Sequence, residues 1–178
     1  WNGTEQPVVG VSWYEAIAYC NWLTETVALT PNPSPSGAYR ITLPTEAQWQ
    51  YAAIGGVSTP TQGSDGREYP WGSPFDGSRC NTRESGIGKT TPVTQYEGIG
   101  DSPFGVVDMA GNVLEWCLTD YHTGANDPNT EEATRRVLRG GSWYYDRSVA
   151  RAASRGYNVP DARDDDLGFR LCCVRAVG

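Results

Sequence analysis

Few residues in this chain could do chemistry. There is one histidine, His122, and one lysine, Lys89. A two-histidine metal site is therefore impossible within the chain, and a Ser–His or Cys–His relay would have to use His122. Asp120 stands close before it, but no nucleophile accompanies the pair, so His122 reads as a surface residue. The five cysteines are Cys20, Cys80, Cys117, Cys172 and Cys173. Their odd number and the absence of any Cys-x-x-Cys spacing exclude zinc-ribbon and thioredoxin motifs. They read as reduced, mostly buried thiols of a cytoplasmic protein. Cys172 and Cys173 are neighbours in a strand-like run, where successive side chains face opposite ways, so no disulfide joins them. The run Asp164-Asp165-Asp166 reads as a solvated acidic turn.

Two helices would position much of this. Ser12-Trp13-Tyr14-Glu15 has the form of a capping box. Behind it Trp13, Ala16, Ile17, Cys20, Leu23 and Val27 recur at helical spacing. The Pro/Ser/Gly-rich segment Pro31–Gly37 ends that helix. After a short extended piece at Arg40–Pro44, Thr45-Glu46-Ala47-Gln48 is a second capping box. Trp49, Ala52 and Ala53 form the inner face of this helix, and Gly55-Gly56 closes it. From 57 to 103 the chain is rich in Gly, Pro, Ser, Asp and Asn, and reads as a long loop with a structural reason to exist. Strands are expected at Gly105–Met109, Val113–Cys117, Arg136–Trp143 and Leu167–Arg175.

The 178 residues suit one α+β domain, 1–178, and with 20 aromatics (7 Trp, 10 Tyr, 3 Phe) the core is built on aromatic anchors. A net charge of −7 argues against nucleic acid as a partner, which needs a basic footprint. No apolar run is long enough for membrane insertion. The abrupt start at Trp1 suggests the C-terminal part of a larger protein.

Six motifs in order resemble the sulfatase-modifying-factor family, whose founding member is the formylglycine-generating enzyme. They are Pro7–Ala16 (PVVGVSWYEA), Arg40–Trp49 (RITLPTEAQW) and Tyr69–Gly72 (YPWG), then Phe104–Trp116 (FGVVDMAGNVLEW), and finally Arg139–Trp143 (RGGSW) with Leu167–Arg170 (LGFR). The resemblance covers nearly the whole chain and implies an elaborated C-type-lectin fold.

What the resemblance implies about chemistry is mixed. The family's oxidases convert a cysteine of a sulfatase to formylglycine using two cysteines that bind Cu(I), a metal suited to soft thiolates. Counted from Gly140-Gly141-Ser142, those positions hold Tyr145 and Ala150, so no copper and no catalytic residue is expected. Calcium is the remaining implied cofactor. Its ligands would be the side chains of Asp108 and Glu115 and the carbonyls of Gly111 and Val113. A second calcium would use Asn81 and the carbonyl of Thr82, but Ser85 stands where an Asp is usual.

The segment 144–166 also resembles the variable region of proteins diversified by diversity-generating retroelements. Those systems miscopy adenines, and free change at the adenines of an Asn codon cannot give Lys, Gln, Glu, Met or Trp. None of the five occurs in this segment. Arg151, Ala152, Arg155, Pro160, Asp161 and Arg163 fit the scaffold. Tyr144, Tyr145, Asp146, Ser148, Ala150, Ser154, Gly156, Tyr157, Asn158, Val159, Ala162, Asp164, Asp165 and Asp166 read as interchangeable ligand-binding positions, with a paratope-like content of Tyr, Ser, Asn and Gly. The expected function is non-catalytic binding of a protein or other macromolecular ligand. The rivals are a divergent formylglycine-generating oxidase and a fixed sensor domain of a signalling protein.

Overall fold

The computed structural model describes residues 3–28, 39–55, 57–59, 62–63, 66–128 and 134–175. The expected helix stop at Pro31–Gly37, and Gly56, lie outside the described residues.

Helix α1 runs Trp13–Ala28. Its capping box is reciprocal: Ser12 N donates to Glu15 Oε2 at 2.8 Å, and Glu15 N donates to Ser12 Oγ at 3.2 Å. Trp13, Ala16, Ile17 and Cys20 are buried as their spacing demands. Leu23 is half-buried and Val27 exposed, because the helix outruns the core it packs on. Helix α2 runs Glu46–Ile54, starts on the Thr45–Gln48 capping box, and ends on Gly55 in the left-handed conformation. Trp49, Ala53 and Ile54 are buried, and Ala52 is half-buried.

The strands are β1 (Tyr39–Thr42), β2 (Val57–Thr59), β3 (Gln62–Gly63), β4 (Leu114–Asp120), β5 (Arg136–Arg139), β6 (Gly156–Asn158), β7 (Leu167–Gly168) and β8 (Cys172–Arg175). The main sheet has the order β6-β5-β4-β7. β4 pairs antiparallel with β5 and parallel with β7. β1 pairs antiparallel with β8, Tyr39 opposite Arg175 and Thr42 opposite Cys172. The architecture is α+β as expected, with three corrections. Gly105–Met109 is not a strand, the Arg136–Trp143 strand stops at Arg139, and Leu167–Arg175 divides into β7 and β8. Each departure follows from glycine or loop packing. Gly140 and Gly141 have φ of 93° and 73°, outside the strand region, and turn the chain off the sheet.

Three tryptophans anchor the core. Trp13, Trp49 and Trp116 are each at most 1% exposed. Their indole N–H groups are all satisfied, by Cys117 O at 2.9 Å, Glu115 Oε2 at 2.6 Å and Val11 O at 3.0 Å. A buried indole donor left unpaired would be costly, so each bond fixes its ring.

Candidate functional site

The segment 144–166 leaves the sheet at Gly140-Gly141, rejoins it through β6 at the edge of β5, and ends at β7. A Cβ on Gly141 would stand 2.9 Å from the Ala150 backbone, so only glycine lets the loop lie this close. Its ends are clasped, since Ser142 Oγ donates to Asp166 Oδ2 at 2.5 Å. Between the ends, the arginines tie the loop to both helix starts. Arg155 gives two bonds of 2.8 Å to Glu46, and Arg163 gives two of 3.0 Å to Glu15. Pro160 O accepts from Trp13 N at 2.9 Å, and Ala152 N donates to Glu68 O at 2.8 Å. The residues expected to be scaffold therefore hold the segment down.

Half of the interchangeable positions are exposed. Tyr144 is 58% and Tyr145 37% exposed, and Ser148, Tyr157, Val159, Asp164 and Asp165 are also exposed. Asp146, Ser154, Gly156, Asn158 and Ala162 are half-buried. Two positions are corrected. Ala150 is fully buried in a cluster with Tyr69, Cys80 and Ala110. Asp166 is buried in the Ser142 clasp, and its carbonyl accepts from Leu114 N at 2.8 Å. Burial pushes the Asp166 carboxyl above its usual range.

Tyr144 and Tyr145 meet edge to face at 5.3 Å. Asp164 accepts from Asn158 Nδ2 at 3.2 Å. Tyr157 has different surroundings: it packs on Tyr121 at 4.5 Å, with the Arg135 guanidinium 4.5 Å from its ring. Arg83 and Glu84 support the backbone of the segment from outside it, and the sequence reading missed them. Arg83 donates from N to Tyr145 O at 2.9 Å and from Nε to Tyr144 O at 3.1 Å, and Glu84 Oε1 accepts from Arg147 N at 3.0 Å. They lie in a turn of the long loop, and nothing in its composition pointed to the tyrosine pair.

The positions of the family's thiolates hold a partly exposed phenol and a buried methyl group. All five cysteines are free. Cys20, Cys80 and Cys117 sit in three separate core clusters. Burial raises the thiol of Cys20 to about 11 and that of Cys80 to about 12. Cys172 and Cys173 are neighbours on β8, where the strand turns them to opposite faces. His122 is exposed, and Asp120 Oδ1 accepts from the backbone of His122 and Thr123 rather than from the imidazole.

Around the implied calcium ligands, burial raises the Asp108 carboxyl to about 7, a bond of 2.7 Å from Asn112 Nδ2 lowers it, and Glu115 raises it further. Glu115 is held by Arg170 through bonds of 2.6 and 2.7 Å and by Trp49. The Arg170 charge is thus matched by Glu115, and Asp108 is a second, half-buried carboxylate. Both are hard oxygen donors, but a cation would have to compete with Arg170 and Trp49 for the Glu115 oxygens and with Val113 N, at 2.9 Å, for the Gly111 carbonyl. The second implied site does not fit. Asn81 Oδ1 accepts from Ser85 Oγ at 2.9 Å, Thr82 O accepts from Ser85 N at 2.9 Å, and no carboxylate belongs to the set. Among the described residues no group of three or more His, Cys, Asp or Glu could hold a metal. Among them, too, no helix is long and apolar enough to cross a membrane.

The model of the sulfatase-modifying factor enzyme 1-like domain matches residues 2–176. The formylglycine-generating enzyme of Streptomyces coelicolor is 36% identical over 92% of this chain and 51% of its own length. The inactive C-alpha-formylglycine-generating enzyme 2 of Bos taurus is 34% identical over 98% of this chain and 52% of its own. The chain therefore spans about half the length of these relatives. Among solved structures, Treponema denticola variable protein 1 superposes with a TM-score of 0.70 and 27% identity, over 97% of this chain and 72% of that one. The motifs, the aromatic core and these matches agree on the expected fold, and the chain belongs to the sulfatase-modifying-factor (formylglycine-generating-enzyme) family.

Proposed function

We propose that this domain binds a macromolecular ligand without catalysis, through a diversified surface built from Tyr144, Tyr145, Asp146, Ser148, Asn158, Asp164 and Asp165. It would be the variable protein, or part of it, of a diversity-generating retroelement. One observation carries this reading. Within 144–166, Arg155 and Arg163 are spent on Glu46 and Glu15, while the tyrosine pair, Asp164 and Asp165 stay exposed. A surface that must change needs a backbone held by residues that do not change. Tyr supplies large rigid contact area with a polar tip, at low entropy cost. Calcium, held by Asp108 and Glu115 with the carbonyls of Gly111 and Val113, would supply positive charge that stabilises the loop beneath. Those residues orient the turn into β4.

The testing experiment has two parts. The gene neighbourhood is sequenced for a reverse transcriptase and a near-copy of the 144–166 coding segment, differing at template adenines. In parallel, a library varied at these seven positions is displayed and selected on a panel of proteins. Folded library members and recovered binders support the reading, and loss of folding across the library overturns it.

The Streptomyces coelicolor relative favours a rival, oxidation of a substrate cysteine. Cu(I) prefers sulfur, and a phenol and a methyl group cannot replace two thiolates. The protein is expected to form no aldehyde on a Cys-x-Pro-x-Arg peptide, with or without added copper. Aldehyde formation that is lost on mutating Cys172 or Cys173 would establish the oxidase instead.

A further inference from the structure

The segment 144–166 carries an edge of the main sheet. In the order β6-β5-β4-β7, the outer strands are β6 and β7. The edge of β7 is covered by the chain before α1: Val9 bridges to Gly168, and Gly10 N donates to Leu167 O at 3.1 Å. The edge of β6 has no such cover among the described residues.

The direction of the β6 main chain follows from the register. Tyr121 N donates to Arg135 O at 2.8 Å, so Arg135 turns its main-chain groups toward β4. Alternation then turns Arg136 and Leu138 toward β6, and Val137 back toward β4. Asn158 stands opposite Arg136, Tyr157 opposite Val137 and Gly156 opposite Leu138. Tyr157 thus belongs to a non-hydrogen-bonded pair, and its N–H and C=O point out of the sheet. Neither group is hydrogen-bonded among the described residues, and the same holds for the main chain of Arg155, two residues before. Tyr157 is 44% exposed, and the Arg155 side chain is drawn off to Glu46.

Along a strand such outward donors and acceptors repeat about every 7 Å, two residues apart. An extended polypeptide repeats its own groups at the same spacing, and an unpaired edge is a template for it. These bonds do not involve side chains. Gly156, Tyr157 and Asn158 are interchangeable positions, so pairing here would persist while the flanking side chains vary. Main-chain bonds would then supply affinity, and the varied side chains selectivity.

We propose that β6 receives an extended segment of a protein partner as a further strand of the main sheet, bonded to the main chain of Arg155 and Tyr157. This rests on the display reading for the partner, but the capacity of the edge to pair does not. The probe is a backbone-cyclised β-hairpin of alternating Thr and Val closed by D-Pro-Gly turns, whose fixed shape removes the ordering cost of a free peptide. Its control is the same hairpin N-methylated along both outer edges. Each is titrated into the whole isotope-labelled chain while backbone amide resonances are followed by NMR.

Saturable shifts at the Arg155 and Tyr157 amides, in about the millimolar range, with slowed hydrogen exchange at Tyr157 N–H, are the supporting result. The N-methylated hairpin should leave these amides unmoved. Replacing the Tyr157 amide by an ester, with the hydroxy acid of tyrosine at that position, removes the donor and keeps the side chain. The ester chain should still fold, because the native ladder does not use that N–H, and it should bind the hairpin about tenfold more weakly. No shift at Arg155 and Tyr157, equal binding of the N-methylated hairpin, or equal binding by the ester chain overturns the proposal. So does protection of Tyr157 N–H that rises with protein concentration alone, which would assign the edge to a second copy of the chain. The display reading would survive these results if selected binders still contact Tyr144 and Tyr145. If the hairpin binds and no library member ever binds a protein, the display reading fails and the pairing edge stands.

Discussion

Arg163, 148 positions downstream of Glu15, closes two parallel hydrogen bonds on that carboxylate, Nε to Oε2 and Nη2 to Oε1, each 3.0 Å long. Glu15 Oε2 also accepts from Ser12 N and Ser12 Oγ, completing the capping box of α1. One side chain thus starts a helix and fastens the far end of the segment 144–166 to it.

This pair sets a pH dependence. The bonds from Arg163, then those from Ser12, lower the Glu15 carboxyl from 4.5 to about 2. A lowered carboxyl gives stability that is complete above its unfolded value and is lost as pH falls through the folded one. The contribution should therefore be full above about pH 4.5 and fade toward pH 2. Carbon-detected NMR titration of Glu15 in the wild type and in Arg163→Met checks it, and an ordinary titration midpoint in the wild type would refute the tie.

Tyr144 and Tyr145 should be replaceable. Changing both to Ser should shift unfolding free energy by about half a kcal/mol, as for surface sites. Tyr157→Ser should cost more, about 1 kcal/mol, because it removes an aromatic pair and a cation–π contact. Chemical denaturation distinguishes the two variants. A strong loss from the double variant would place the tyrosine pair in the core.

Ala150 and Asp166 should resist variation although they fall inside the segment. Asp166→Ala leaves the Ser142 hydroxyl without its acceptor and should cost about 1–3 kcal/mol. Ala150→Asn adds polar atoms inside the cluster of Tyr69, Cys80 and Ala110 and should cost as much as other overpacked sites, about 1–3 kcal/mol. Deep sequencing of a folded library would show both positions depleted of change.

Calcium should stabilise the protein by mass action. A chelator should lower Tm and added calcium restore it, and Asp108→Asn should blunt the response. Equal melting curves under both treatments would remove calcium from the account.

Restoring thiols at positions 145 and 150 should not restore an oxidase. Ala150 is fully buried, so a cysteine there is enclosed while one at position 145 is partly exposed. Copper-dependent aldehyde formation by the Tyr145→Cys/Ala150→Cys variant would contradict this.

Much was legible in the sequence because it depended on neighbours in the chain. The capping boxes Ser12–Glu15 and Thr45–Gln48, the buried face of α1 and the motifs carrying the family resemblance need only local spacing. The replacement of two family cysteines by Tyr145 and Ala150 is likewise a matter of counting from Gly140-Gly141-Ser142. Other features were decided by contacts that no local pattern encodes. The Gly105–Met109 run reads as a short strand, but Gly105 and Asp108 take positive φ of 72° and 59°, outside the strand region. Ala150 and Asp166 look like their exposed neighbours in composition, and only the close approach of Gly141 and the Ser142 clasp bury them. Glu115 ends up paired with Arg170, 55 residues away, because both enter one low-dielectric pocket where an unpaired charge would be costly. Spacing fixes which side of an element a residue faces, whereas the partner it meets there depends on how distant segments pack.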